Sequence, residues 1–365
     1  MAVITYKCPN CGGGLTFDPA SQKFSCEYCD SKFDEETLKK LQPDSSADQH
    51  LAAEAPPAAQ EAAPAAPAQD QSAPGAVVYT CPSCGAEIVT CDTTAATYCF
   101  YCHNPVVLAG RLDGRYLPDK IIPFAIPKEK VTEDLKTWLH SKSFVPKSFF
   151  SPKQVEKLTG VYFPHWMVDC DVDARLDATA RNLRVWTTGD IEYTETSRYH
   201  VVRNGTIHFE DLTKSALKKA DAMLVEGVQP FDPKGLKDFS MSYLSGFQAE
   251  KRDIEQDALV PAVRQEMNDY ASSLLQQSIG GYGSVTVDAS QCSIKKADWS
   301  YALLPVWVLT YRDKLKDKLY YYAVNGQTGK VFGDIPLDRR KLNLTALAVG
   351  LAAFALLYLI GWWLV

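Results

Sequence analysis

A duplicated cysteine framework constrains this chain more than any other feature. Tyr6-Lys7-Cys8-Pro9-Asn10-Cys11-Gly12 returns as Tyr79-Thr80-Cys81-Pro82-Ser83-Cys84-Gly85, and Cys26-Glu27-Tyr28-Cys29 returns as Cys99-Phe100-Tyr101-Cys102. All eight cysteines shift by the same 73 residues, so the chain carries two copies of one module, each reading C-x2-C-x14-C-x2-C. A C-x2-C turn aims two thiolates at one point. Two such turns joined by a hairpin complete a tetrahedral four-sulfur site, with Zn–S at about 2.3 Å. The spacing therefore predicts two structural zinc ribbons, one held by Cys8, Cys11, Cys26 and Cys29 and the other by Cys81, Cys84, Cys99 and Cys102. Rubredoxin-like iron takes the same ligand set. Gly12 and Gly85 follow the second cysteine of each first turn, where positive φ is expected. So small a module has little core, and its metal supplies much of its folding free energy. Cys91, Cys170 and Cys292 are left over and are expected to act as small buried hydrophobes. His103 adjoins Cys102, but four thiolates already close that site.

Zinc ribbons often bind nucleic acid, so charge becomes the next question. The formal net charge is −6, and no Lys or Arg lies between Lys40 and Arg111, an interval that contains the whole second module. Two zinc sites of four thiolates each lower the formal charge to about −10. Phosphate binding needs several cations to displace counterions, and this composition disfavours it. Surfaces for another protein are the better expectation.

Pro43 to Ala76 is rich in Ala, Pro, Gln, Ser and Asp and has no aromatic residue, which predicts a disordered linker between the ribbons. Leu344 to Val365 carries no charge and follows Arg339-Arg340-Lys341. As a helix it reaches about 33 Å, enough for a bilayer core. The positive-inside rule then puts the body in the cytoplasm, with Trp362 and Trp363 at the far interface, which predicts a single-pass tail anchor in the cytoplasmic membrane. No apolar segment suggestive of a secretory signal opens the chain.

Between these ends, strand and helix signals mix without regular βαβ alternation, which predicts an α+β class. The expected organisation is a first ribbon over 1–42, the linker over 43–76, a second ribbon over 77–110, an α+β body of one or two related units over 111–338, and a basic flank with the transmembrane helix over 339–365. Helices are expected over Pro127–Lys142, from Ser151-Pro152 with Gln154 to a stop at Gly160, and over Ile254–Ser278 with Leu259, Val263, Met267, Tyr270 and Leu274 inward. Strands are expected through Val161–Asp211 with a turn at Thr188-Gly189-Asp190, then at Val285–Val287, Trp299–Tyr311 and Leu319–Val324. A hairpin loop is expected at Asn325–Gly329. Tyr162-Phe163-Pro164-His165-Trp166-Met167-Val168 is echoed by Leu303-Leu304-Pro305-Val306-Trp307-Val308-Leu309.

Motifs for hydrolase, zincin, P-loop or dinucleotide chemistry are absent. Asp169, Asp171 and Asp173 share one strand face, opposite Val168, Cys170 and Val172, and read as a solvated face. His200 and His208 are expected on different strands, separated by a turn at Asn204-Gly205. The composition therefore predicts a non-enzymatic adaptor. A membrane-tethered nucleic-acid regulator and an enzyme with a site near Asp169 or His165 are the alternatives.

Paired ribbons followed by Ile122-Pro123-Phe124, Gly160-Val161-Tyr162-Phe163-Pro164-His165-Trp166, Tyr243-Leu244-Ser245-Gly246-Phe247, Val324-Asn325-Gly326-Gln327-Thr328-Gly329-Lys330-Val331 and an apolar C-terminal segment resemble one group of bacterial membrane proteins. These are the YdjG-like, TFIIB-type zinc-ribbon proteins, and the resemblance spans nearly the whole chain. It implies a role in envelope maintenance near SPFH-domain and phage-shock proteins, as a membrane platform that recruits partners.

Overall fold

The computed structural model describes residues 5–41, 76–99, 102–112, 114–140, 144–146, 157–218, 226–313, 318–333 and 337–364. The chain divides into two compact units: unit 1 is 1–163, 219–251 and 303–365, and unit 2 is 164–218 and 252–302. The disordered linker expected over 43–76 and the helix expected from Ser151 fall almost entirely outside the described residues. Only Ala76, which already belongs to a strand, and the end of that helix, near Gly160, are covered.

The first module contains strands β1 (Leu15–Asp18), β2 (Lys23–Cys26) and β3 (Lys32–Phe33) and helix α1 (Glu35–Leu41). The second contains β4 (Ala76–Thr80), β5 (Glu87–Cys91), β6 (Thr94–Tyr98) and β7 (Pro105–Val107). Then follow β8 (Lys120–Ile121), α2 (Lys128–His140), β9 (Thr159–Thr188), β10 (Ile191–Ser215), β11 (Lys237–Asp238), β12 (Gln248–Glu250), α3 (Gln256–Gln277), β13 (Ser284–Asp313), β14 (Lys318–Asn325), β15 (Val331–Gly333) and α4 (Arg339–Leu364). Strands β1, β2 and β3 form a small sheet, and β4 pairs with β5. The large sheet has the order β11-β8-β13-β9-β12-β6-β7, with β10 beside β9 and β14 between β13 and β15. The architecture is α+β.

Unit 1 is built around Phe124. Its ring stacks on Phe247 at 4.3 Å, meets Tyr162 edge-on at 5.0 Å and lies 4.9 Å from Trp307. Two glycines make this approach possible. A Cβ at Gly160 would fall 2.6 Å from the Phe247 ring, and one at Gly326 would fall 2.5 Å from Phe124. Gly160 therefore serves ring packing inside β9. Asn325, fully buried, accepts hydrogen bonds from the backbone of Gln327 and Thr328 and donates to the carbonyls of Val228 and Pro230, which closes the loop between β14 and β15. Four of the sequence motifs thus meet in one aromatic core.

In unit 2, α3 buries Val263, Met267 and Ala271, the first two against Val168, Cys170 and Val172 of β9. Tyr270 and Leu274, expected inside, are exposed, because the buried stripe steps by four residues and leaves them beside it. The turn at Gly189 (φ 63°) joins β9 to β10, as the sequence predicts. Asn204-Gly205, however, is no turn: the two residues pair with Arg175 and Ala174 inside a continuous ladder, so His200 and His208 share one strand. The separate strands expected near Val285 and Trp299 are likewise one strand, β13.

Candidate metal centres

Each cysteine pair sits in a turn fixed by backbone hydrogen bonds, and the two modules repeat them at the same offset. Cys8 donates its N–H to the Gly13 carbonyl and Gly12 donates to Cys8 O, at 2.6 and 2.8 Å; the equivalent bonds from Cys81 and Gly85 measure 2.7 and 2.9 Å. Cys26 N–H to Ser31 O (3.0 Å) has its counterpart in Cys99 N–H to Asn104 O (3.0 Å). Gly12 and Gly85 adopt φ of 75° and 76°, as expected. The second turn of each module places a non-glycine residue in the left-handed region, Asp30 at 54° and His103 at 57°. His103 is thus a turn residue, and its ring is outside the ligand set.

These turns bring four sulfurs together twice. Cys8 and Cys29 sulfurs are 3.5 Å apart and those of Cys11 and Cys26 3.4 Å; in the second cluster Cys81–Cys102 is 3.7 Å and Cys84–Cys99 3.6 Å. Within each cluster all sulfurs lie within 4.8 Å of one another. A tetrahedral shell of four sulfurs at about 2.3 Å from its metal has edges of about 3.8 Å, so both clusters can hold a metal ion. A disulfide would need about 2.05 Å. In the first cluster the thiols are unequal before they meet a metal. The Ser31 hydroxyl and N–H hold Cys29 down to about 6. On Cys11 the Gly13 N–H pulls downward, but hydrogen bonding with Cys26 and Cys29 wins, and this thiol is pushed up to about 12. Ligation therefore displaces protons.

Both ribbons pack against one segment of unit 1, Tyr243 to Phe247. From the first ribbon, Phe17 donates its N–H to Ser245 O (2.9 Å) and meets the Tyr243 ring edge-on at 5.1 Å, while the Tyr243 hydroxyl donates to Glu35 at 2.6 Å. From the second, Tyr98 donates its hydroxyl to Gly246 O and β6 pairs antiparallel with β12. A cleft of about 550 Å³ lies where the ribbons meet this core, with Tyr28, Tyr98, His103, Phe247 and Trp307 among its walls. The sequence marks the Tyr243–Phe247 motif but not its docking role, because the partners lie up to 230 residues away along the chain.

The other candidate residues resolve plainly. Asp169, Asp171 and Asp173 do share a face, and each has a partner on it. Asp169 accepts the Asp211 N–H, Asp171 lies 2.6 Å from His208 Nδ1, and Asp173 pairs with Lys295 at 2.7 Å. Among the described residues, only the two cysteine clusters group three or more metal-ligating side chains. Cys170 is buried with its sulfur 3.3 Å from Met267 Sδ and Cys292 is half-buried, but Cys91, at the end of β5, is exposed, contrary to expectation. His165 is fully buried in β9.

Helix α4 is long and apolar enough to cross a membrane, and none of its side chains described over Arg339–Leu357 is buried, Phe354 and Leu357 being exposed at 69% each. It is therefore not packed as a core helix. The side chains of Trp362 and Trp363, expected at an interface, lie outside the description.

No family model matches the chain, and no solved structure matches it. Over 340 residues, covering 93% of this chain and 92% of the relative, it is 35% identical to the protein of Bacillus subtilis (strain 168) named YdjG, described as uncharacterized. With an alignment that nearly spans both proteins, the chain belongs to the YdjG family.

Proposed function

We propose that the chain is a non-enzymatic, membrane-anchored zinc-ribbon adaptor. Zinc fills both four-cysteine clusters as a structural ion, α4 sits in the cytoplasmic membrane with the remainder in the cytoplasm, and the ribbons present a surface to other proteins. The observation that carries this reading is the docking of both four-cysteine modules on one segment of unit 1, with a cleft beside them that has aromatic side chains among its walls. Four thiolates leave no place for a reacting water, which favours structure over hydrolysis. The partner class comes from the family resemblance: SPFH-domain or phage-shock proteins that maintain the envelope.

Crosslinking in intact cells followed by co-purification tests the proposal, comparing the full chain with Cys8→Ser and Cys81→Ser variants. Membrane proteins should be captured by the parent chain and lost when either ribbon loses its metal. The adaptor reading fails if both variants capture the same proteins as the parent, or if nucleic acid, released steeply by salt, is what co-purifies.

A further inference from the structure

The hairpin of β9 and β10 outruns the rest of unit 2. Helix α3 ends at Gln277, and the chain rejoins the sheet at Gly283, whose N–H reaches the Asn182 side chain at 2.7 Å. Past that point residues 183–196 are exposed on both faces, with Leu183 at 66% and Ile191 at 59%. Trp186 stacks on its cross-strand partner Tyr193 at 5.5 Å and Arg184 lies over the indole, which orders the ribbon without covering it. A two-stranded ribbon is marginal in water, and further strands are its usual source of stability.

The free edge is that of β10, which among the described residues pairs with β9 alone. From Ile191 to Val202 it contains no Lys, no Pro and no bulge, three of the devices that blunt an edge; its charges are Glu192, Glu195 and Arg198. The loop Gly189-Asp190 is closed by the pair Thr188–Ile191. Even-numbered residues of β10 therefore turn their N–H and C=O groups toward the open edge.

We propose that this edge pairs antiparallel with the same edge of a second copy of the chain, about a two-fold axis at Thr196. In this register Thr196 faces its own copy through reciprocal backbone hydrogen bonds. Tyr199 faces Tyr193 across the axis, His200 faces Glu192, and Val201 faces Ile191, so aromatic meets aromatic, base meets acid and aliphatic meets aliphatic. An axis at Glu195 opposes that carboxylate to itself, one at Ser197 sets Glu192 against Val202, and one at Arg198 opposes two guanidinium groups. The sequence is self-complementary about Thr196, the isologous arrangement a two-fold dimer requires. Pairing over Ile191–Val201 runs about 36 Å and gives four strands. The row Trp186–Tyr193 then continues onto Tyr199 of the second copy.

Sedimentation of the full chain in detergent, over a range of concentrations, reads the association. The parent should form a dimer. Thr196→Pro removes an N–H that points away from β9, so it should retain both metal ions and the native circular dichroism yet sediment as a monomer. Thr194 faces Arg198 across the axis. Thr194→Glu should tighten the dimer about fivefold and Thr194→Lys loosen it about fivefold, a pair of readings that holds even if the proline variant fails to fold. A parent that stays monomeric, a dimer that survives Thr196→Pro, or Thr194 variants that shift in the same direction would each overturn the proposal.

Discussion

His208 shows how one residue on a polar strand face acquires a pH dependence. Its Nδ1 lies 2.6 Å from Asp171 and its Nε2 3.2 Å from Glu210. The Asp171 hydrogen bond, reinforced by the charges of both carboxylates, raises the imidazole above its ordinary value of 6.5. A raised folded-state value means that protonated His208 stabilises the fold. That contribution is complete below the unfolded value near 6.5 and is lost as pH rises through the folded one. An NMR titration of the His208 ring should find its midpoint above 6.5, and Asp171→Asn should bring the midpoint down. An unchanged midpoint in the variant would refute the pairing. This pair is invisible in the sequence, because the two residues are 37 positions apart and meet only through the β9–β10 register. The candidate metal ligands are the opposite case. Cys8 and Cys11 belong to one local turn, so their spacing alone encodes their geometry. Asp30 and His103 mark the limit of that local code: a glycine announces a left-handed turn, whereas these residues adopt one unannounced.

At the scale of elements, the question is what holds a four-cysteine hairpin against the body. For the first ribbon the answer is β1, whose backbone and Phe17 side chain dock on Tyr243 to Ser245, and the hydroxyl of Tyr243 locked onto Glu35. Tyr243→Phe keeps the ring contact and deletes a hydrogen bond to a carboxylate. Tyr243 is buried but Glu35 keeps part of its side chain in water, so the cost should be about 1 kcal/mol. Hydrogen exchange should localise that loss to amides of residues 15–26 and leave those of β4 and β5 unchanged; uniform acceleration would mean that the ribbons are not separately docked. The echo between Tyr162–Val168 and Leu303–Leu309 also acquires a physical meaning at this scale. Trp166 donates its indole N–H to Ile254 O at 3.0 Å, and Trp307 donates to Ile126 O at 2.9 Å. Each isoleucine lies two residues before a helix, α3 in one case and α2 in the other. The repeat was legible as a string of residue types, and its purpose was not, because each tryptophan reaches a helix start far away in sequence. Period-two patterning identified the strands but not their lengths, since Asn204-Gly205 reads locally as a turn and only pairing with β9 keeps it extended.

For the whole molecule, the polarity of α4 is the property that organises the rest. The helix spans about 39 Å, more than the roughly 30 Å of a bilayer core. Its first turn is capped by Asp338, whose carboxylate accepts the N–H groups of Arg340 and Lys341 at 3.1 and 3.2 Å. Three cations, Arg339, Arg340 and Lys341, occupy that same turn. Positive charge at a helix N-terminus opposes the macrodipole and costs about 0.3–1 kcal/mol per residue, so helix stability does not account for it. Under the proposed anchor, anionic headgroups would, at about 1 kcal/mol per cation near the surface. The two effects have opposite signs, and this separates them experimentally. Replacing all three cations by Glu should leave α4 helical in neutral detergent, by circular dichroism, while weakening association with vesicles that contain anionic lipid and disturbing the protease-protection pattern in cells. Removing Leu344 to Val365 should release the remainder into the soluble fraction with both metal ions bound. If the truncated chain still pellets with membranes, the attachment runs through another surface, and α4 is an exposed apolar helix that requires a protein partner instead.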